Sequence, residues 1–228
     1  MADVELADDV NEPEWRSRAV SRSLNAARSR AEKRAQRFLD AAFELMDEKG
    51  TTDFTIQEVI DRSKQSLRGF YQYFDGKDEL LFALFEESIR ESIDDLREVI
   101  DSEREPLTRL RAFIIRLHEW CDPSDGMRRR GAHNRRPISE FSVQLAGNHP
   151  ERVRTAYAPI SRMLSELVDE AKDAGVIEID DTRKASQLVL RTIMYSWFGN
   201  RLAQSARVRI TAEDTWQFLL HGLNVRAA

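Results

Sequence analysis

With a single cysteine, Cys121, the chain can form no intrachain disulfide and no cysteine-based zinc knuckle, and nothing points to an oxidising compartment. Glycine and proline are scarce, nine and six in 228 residues, which argues against a turn-rich β-sandwich or barrel and for long helices. No run approaches the roughly 18 apolar residues that a membrane-spanning helix needs. With 33% charged and 41% hydrophobic residues the chain is still apolar enough to bury a core. The opening MADVELADDV lacks the basic and apolar stretches of a secretory signal, so the cytoplasm is the expected location. Enzyme signatures are missing too: there is no G-x-S-x-G, no H-E-x-x-H, no Walker loop and no glycine-rich dinucleotide turn. His118 and Cys121, with Glu119 between them, are too few ligands for a metal site. No catalytic role, cofactor or metal is expected.

Charge of one sign is lacking only on average. The net charge of −5 argues against a nucleic-acid partner when taken alone. Residues 1 to 13, however, hold five acids and no base, and so carry the whole deficit. From Glu14 to Arg37 the sign inverts, with eight bases against Glu14 and Glu32. The expectation is a disordered acidic tail and a basic arm over 1–27, the arm leading into a helix.

Past the arm, Phe38, Ala41, Ala42, Leu45 and Met46 recur at three- and four-residue steps, an amphipathic helix stopped near Lys49-Gly50. Thr55 is placed to cap a short helix, with Glu58 three residues on as the second half of a capping box. A second short helix is expected from Ser66 to about Phe74. Two short helices joined by about three residues make a helix-turn-helix, braced by the helix before them. Five further amphipathic patterns follow, from Leu80 to Ile100, Pro106 to Trp120, Ile138 to Leu145, Pro150 to Gly175 (with Pro159 expected to kink it) and Leu188 to Phe198. A last helix is expected from Thr211 to about Asn224. The expected fold is all-α, with about nine helices and no strand long enough to found a sheet.

These motifs are similar to those of the TetR family of ligand-responsive transcriptional regulators. The resemblance rests on the capped helix Thr55 to Arg62, on the serine-led stretch from Ser66, on Tyr71-Gln72-Tyr73-Phe74, and on Lys77-Asp78-Glu79-Leu80. It spans residues 33 to 85. It departs from the family at the turn, where Lys64-Gln65 replaces the usual Gly-Val, and at Leu67-Arg68-Gly69, where Lys-Gly-Thr or a similar triplet is common. The resemblance implies a DNA-binding domain over 28–79, and a ligand-binding and dimerisation domain over 80–228.

In such a domain the second short helix enters the major groove. Arg68 is then placed for guanine O6 and N7, Gln72 for adenine and Leu67 for a thymine methyl. Ser66, Tyr71, Tyr73, Lys77 and the hydroxyl and amide of Thr55 are expected on phosphates, and Gly69 is expected to let the backbone approach the duplex. The arm's arginines, Arg28 and Arg30 above all, are candidates for entering the neighbouring minor groove or for neutralising phosphates. Phe70 and Phe74 read as core. The implied partners are double-stranded DNA with a palindromic operator, a second copy of the chain and a small-molecule effector, with no membrane. Trp197, Phe198, Leu202, Trp216 and Leu220 are the expected dimer residues. Phe113, Leu117, Trp120, Phe141, Tyr157, Ile160, Met163 and Met194 are the expected walls of an effector pocket. The arginine run from Arg128 to Arg136 reads as a solvated loop, the alternative being a holder of a phosphate or carboxylate such as a CoA thioester head. The function expected is a repressor released from its operator by a small apolar or amphipathic ligand. The alternative is a helical lipid- or acyl-CoA-binding module, or an enzyme, without DNA binding.

Overall fold

The computed structural model describes residues 14–49, 51–121, 143, 145–202 and 210–223, and among these every regular element is a helix. The acidic tail, the Arg128 to Arg136 run, Phe141 and most of the expected helix from 138 to 145 lie outside the described residues.

The first helix, α1 (Glu14–Lys49), is 36 residues long. The basic stretch from residue 14 is therefore not an arm ahead of a helix but the helix itself, which corrects the expected start of the DNA-binding unit at 28. The reason is local: residues 14–49 contain neither glycine nor proline and are rich in alanine, arginine, leucine and glutamate. Residues 15–30 are all exposed, so this half of α1 stands clear of the body.

Beyond it, Phe38, Leu39, Ala42, Leu45 and Met46 turn inward. They meet α2 (Ile56–Ser63), whose Val59 and Ile60 are buried. Next comes α3 (Leu67–Phe70), capped by Ser66, whose Oγ accepts the Gly69 N–H at 3.0 Å. The helix expected to reach Phe74 is only one turn long. From Tyr71 the chain tightens, with Gln72 N–H donating to Gly69 O and Tyr73 N–H to Phe70 O. An aromatic cluster sets this geometry: Phe38 packs edge-on against Phe70 and Phe74, with ring centroids 5.5 and 6.1 Å away.

A long helix, α4 (Lys77–Asp101), leaves this unit and carries it into the larger domain. There α5 (Pro106–Cys121) is the central element, packed on α4 and on α6 (Pro150–Asp173), α7 (Thr182–Leu202) and α8 (Ala212–Gly222). Its Leu110, Phe113, Ile114 and Leu117 are buried. Pro159 sits inside α6, yet the helix is continuous through it. The last helix begins with a second capping box, Thr211 with Asp214.

Candidate nucleic-acid interface

At the head of the molecule a groove is lined by Arg34 and Arg37 of α1 and by Gln65, Ser66, Arg68, Gly69, Gln72 and Tyr73. The fold explains why these residues meet. Phe38 locks α1 against Phe70, so the residues one turn earlier on α1 flank the start of α3. Leu67, Arg68, Tyr71 and Gln72 all project to the outside, with Leu67 and Tyr71 more than half exposed. An exposed leucine and tyrosine beside three arginines form a surface with apolar, hydrogen-bonding and cationic groups side by side, the mixture that base edges and phosphates require. Ser66 spends its oxygen lone pair on the cap and keeps its hydroxyl proton for an outside acceptor.

Other expected contacts are placed differently. The Thr55 amide and hydroxyl both donate to Glu58 Oε2, at 2.8 and 3.0 Å, so neither is presented to a phosphate, and a carboxylate stands beside them. Lys49 donates to Glu58 Oε1 at 2.7 Å. This hydrogen bond, with the Thr55 bonds, pulls the Glu58 carboxyl down to about 2. Lys77 lies with its ammonium 5.0 Å from the Phe54 ring centroid, pinning the start of α4 to the loop before α2. Tyr73 is half-buried against Phe38 as well as lining the groove. A Cβ on Gly69 would stand 3.2 Å from Ser66 Oγ and 3.9 Å from Phe38 Cζ, so this glycine leaves room for the cap rather than for DNA. Arg28 donates to Glu32 at 2.7 Å and, about 120° around the helix from Arg34, faces away from the groove. Arg30 stays on the groove side.

The turn at Lys64-Gln65, where the sequence departs from the family's Gly-Val, is held by Lys64 at φ 54° and ψ 37°. It closes α2 in the left-handed conformation that glycine usually supplies; the backbone N–H groups of Lys64 and Gln65 donate to Ile60 O, and the Gln65 side-chain Nε2 donates to Lys64 O at 3.2 Å. Arg62 also escaped the sequence reading: it ties α2 to α1 through Glu48, at 2.8 and 2.7 Å, and through Glu44 at 3.2 Å.

In the larger domain, Phe113, Leu117 and Ile160 are buried. Trp120 is half-buried and donates its indole N–H to Asp95 at 2.8 Å. Met194 is partly buried against the core. Two open grooves flank α6. One passes Pro159, Met163, Arg97 and Arg109, and the other passes Tyr157, Ser161, Arg183 and Gln187. Thus Met163 and Tyr157, both near the proline, do line grooves, but on separate sides of α6. Trp216 is 3% exposed and belongs to the monomer core, which overturns its expected place at a dimer contact. Its ring packs inward because α8 lies directly on α5. Leu220 is half-buried on the same core. The side chains of Trp197, Phe198 and Leu202 lie outside the described ones. Among the described residues, the large exposed apolar groups on these two helices are Leu188, Tyr195 and Phe218, none of which was expected at a dimer contact.

Residues 38–84 match the model of the bacterial regulatory proteins of the tetR family. Among solved structures, the fatty acid degradation regulator FadR from Bacillus halodurans is 20% identical at a TM-score of 0.64, over 84% of this chain and 97% of that one. FadR from Bacillus subtilis, solved with stearoyl-CoA, is 16% identical at 0.60, over 82% and 98%. RolR, solved with resorcinol, is 20% identical at 0.61, over 87% and 91%. At these identities the likeness shows a shared fold. No curated protein matches the chain.

Proposed function

Taking as premise that this chain is a DNA-binding transcriptional regulator of the TetR family, by its residues 38–84, we propose that it is a repressor that grips a palindromic operator as a homodimer and is released by a small apolar or amphipathic effector. The observation that carries the reading is the outward face of α3. Arg68 and Gln72 project beside Arg34 and Arg37, so the groups able to read bases and the groups able to neutralise phosphates lie in one groove. In this reading Arg68 bonds guanine, Gln72 adenine and Leu67 a thymine methyl, while Ser66, Tyr71 and Tyr73 hold phosphates. The DNA-binding unit is rigid because its aromatic core is shared by α1 and α3, and it ends where α4 begins.

One unit of this size presents a single recognition helix. A second, about 34 Å away on the next turn of the duplex, requires a partner copy. Leu188, Thr192 and Tyr195 form one exposed stripe on α7, and Phe218 stands out on neighbouring α8, which supports that face as the contact. The grooves on either side of α6, at Tyr157 and Met163, are the places proposed for the effector. Relatives of this fold were solved with ligands as different as stearoyl-CoA and resorcinol, which supports a small-molecule effector without selecting its class. The reading gives the chain no catalytic step and a place of work in the cytoplasm.

An operator selected in vitro from random-sequence duplexes tests the proposal. Arg68→Ala should lower affinity for that operator by a factor corresponding to about 1–3 kcal/mol while leaving affinity for random DNA nearly unchanged. Equal losses on both would sink the assignment of Arg68.

A further inference from the structure

The first half of α1 is too long and too exposed to be explained by the fold. Residues 15–30 are all exposed, and yet they hold a continuous helix. At about 100° per residue, Arg16, Arg22, Arg30, Lys33, Arg34 and Arg37 fall within about 120° of arc. Glu32, the one acid from residue 15 to residue 37, falls on the opposite side. All six cations are exposed. Arg34 and Arg37, at the end of this stripe, are the residues that line the groove at α3. From Arg16 to Arg37 the stripe is about 32 Å long, close to one turn of B-form DNA.

Building on the DNA-binding reading above, we propose that this helical stripe lies along duplex DNA flanking the operator half-site, adding sequence-independent phosphate contacts beyond those of α3. The stripe starts where the groove ends, so a duplex seated on α3 is already beside Arg34 and Arg37. Charge complementarity selects the occupant. A helix face with cations over its whole length, and with Glu32 turned away, matches a line of phosphates, each contact releasing condensed counterions. A second copy of the stripe would be repelled. The apolar residues Val20 and Leu24 lie to one side of the stripe, outside the cationic arc.

The test uses the full chain and the triple variant Arg16→Gln, Arg22→Gln, Arg30→Gln. Glutamine preserves helix propensity, and circular dichroism checks that α1 persists. Both proteins are titrated onto an operator selected in vitro, once as a duplex covering only the half-sites and once with about one further helical turn on each side. The wild-type chain should bind the longer duplex about tenfold more tightly in moderate salt, and the variant should lose that gain. On the longer duplex the slope of log affinity against log salt should fall by about five for the dimer, since three contacts are lost from each protomer and each contributes about 0.9. The ratio of operator to random-sequence affinity should stay as it was.

The inference is overturned if flanking DNA brings the wild-type chain no gain, or if the variant keeps the gain and the slope. It is equally overturned if the chain assembles beyond a dimer without DNA and Leu24→Ser abolishes that assembly, because the free half of α1 would then serve a second copy. Failure of the wild-type chain to select any operator would instead defeat the DNA-binding reading, and this one with it.

Discussion

Arg152 of α6 clamps Glu79 in the first turn of α4: its two terminal nitrogens donate to the two carboxylate oxygens at 2.8 and 3.0 Å, and its guanidinium carbon lies 3.7 Å from the Phe82 ring centroid. The hydrogen bonds from Arg152 hold the Glu79 carboxyl below its usual range. Glu79 sits twelve residues beyond the start of α3 at Leu67, so this pair links α6 to the helix-turn-helix unit. A groove on either side of α6 is therefore one ion pair away from the position of α3.

Both partners are about two-fifths exposed, which limits the ion pair to about 1 kcal/mol or less, with the ring contact adding a comparable amount. Arg152→Gln should lower stability by about 1 kcal/mol, a drop of about 2–4 °C in Tm for a chain of this size. It should also change operator affinity, although Arg152 is remote from the groove at α3. Differential scanning calorimetry with Glu79→Gln and the double variant measures the coupling; additive losses would mean that the two residues act separately.

The capped helices and the amphipathic patterns were legible in the sequence because they are local. Thr55 and Glu58 are three residues apart, and Phe38 to Met46 carry their period within two turns. The outcomes that differed depend on packing between distant segments. Whether Trp216 faces a partner or the core is decided by α5, about a hundred residues earlier. Lys77 was read as a phosphate ligand because no pattern shows that Phe54 lies beneath it. The reach of α1 was legible in principle from the absence of glycine and proline, but high charge masked it. In the candidate site, the outward placement of Arg68 and Gln72 was legible from their place behind the Ser66 cap. The loss of Thr55 as a DNA ligand follows from its bonds to Glu58, which the capping box already contained.

Lys64 holds φ 54° with a Cβ, a conformation in which that carbon crowds its own backbone. Lys64→Gly should relieve the crowding and outweigh the added freedom of the unfolded chain, raising stability by about 0.5–1 kcal/mol. Urea denaturation measures this through a higher midpoint at an unchanged slope. Lys64→Val should move the midpoint the other way, since a β-branched residue tolerates this conformation least.

Glu58 links pH to the integrity of the helix-turn-helix. Its carboxyl titrates near 2 in the folded protein, against an ordinary value of 4.5, because Lys49 and Thr55 bond its charged form. A carboxyl depressed on folding adds stability that is fully present above its ordinary value and is lost as pH falls toward the folded one. The difference in urea midpoint between the wild-type chain and Glu58→Gln should therefore be constant near neutrality and shrink between about pH 4.5 and pH 2. A difference that stays flat across that window would show that Glu58 acts without its charge.

The exposed stripe on α7 and the buried ring on α8 make opposite predictions for two aromatic residues. Leu188 and Tyr195 are each 64% exposed and Phe218 is 70% exposed, whereas Trp216, two residues from Phe218, is 3% exposed. If the exposed face carries the proposed homodimer, Leu188→Lys with Tyr195→Lys should place four cations across a two-fold contact and yield a monomer with the wild-type helix content, because neither side chain packs on its own core. Trp216→Ala should instead destabilise the fold by about 3–5 kcal/mol, since it opens a cavity where α8 meets α5. Sedimentation velocity at micromolar concentration reads the first effect, and thermal unfolding the second. A monomeric wild-type chain, or a lysine double variant that still dimerises, would remove this face from the assembly and with it the spacing proposed for the two recognition helices.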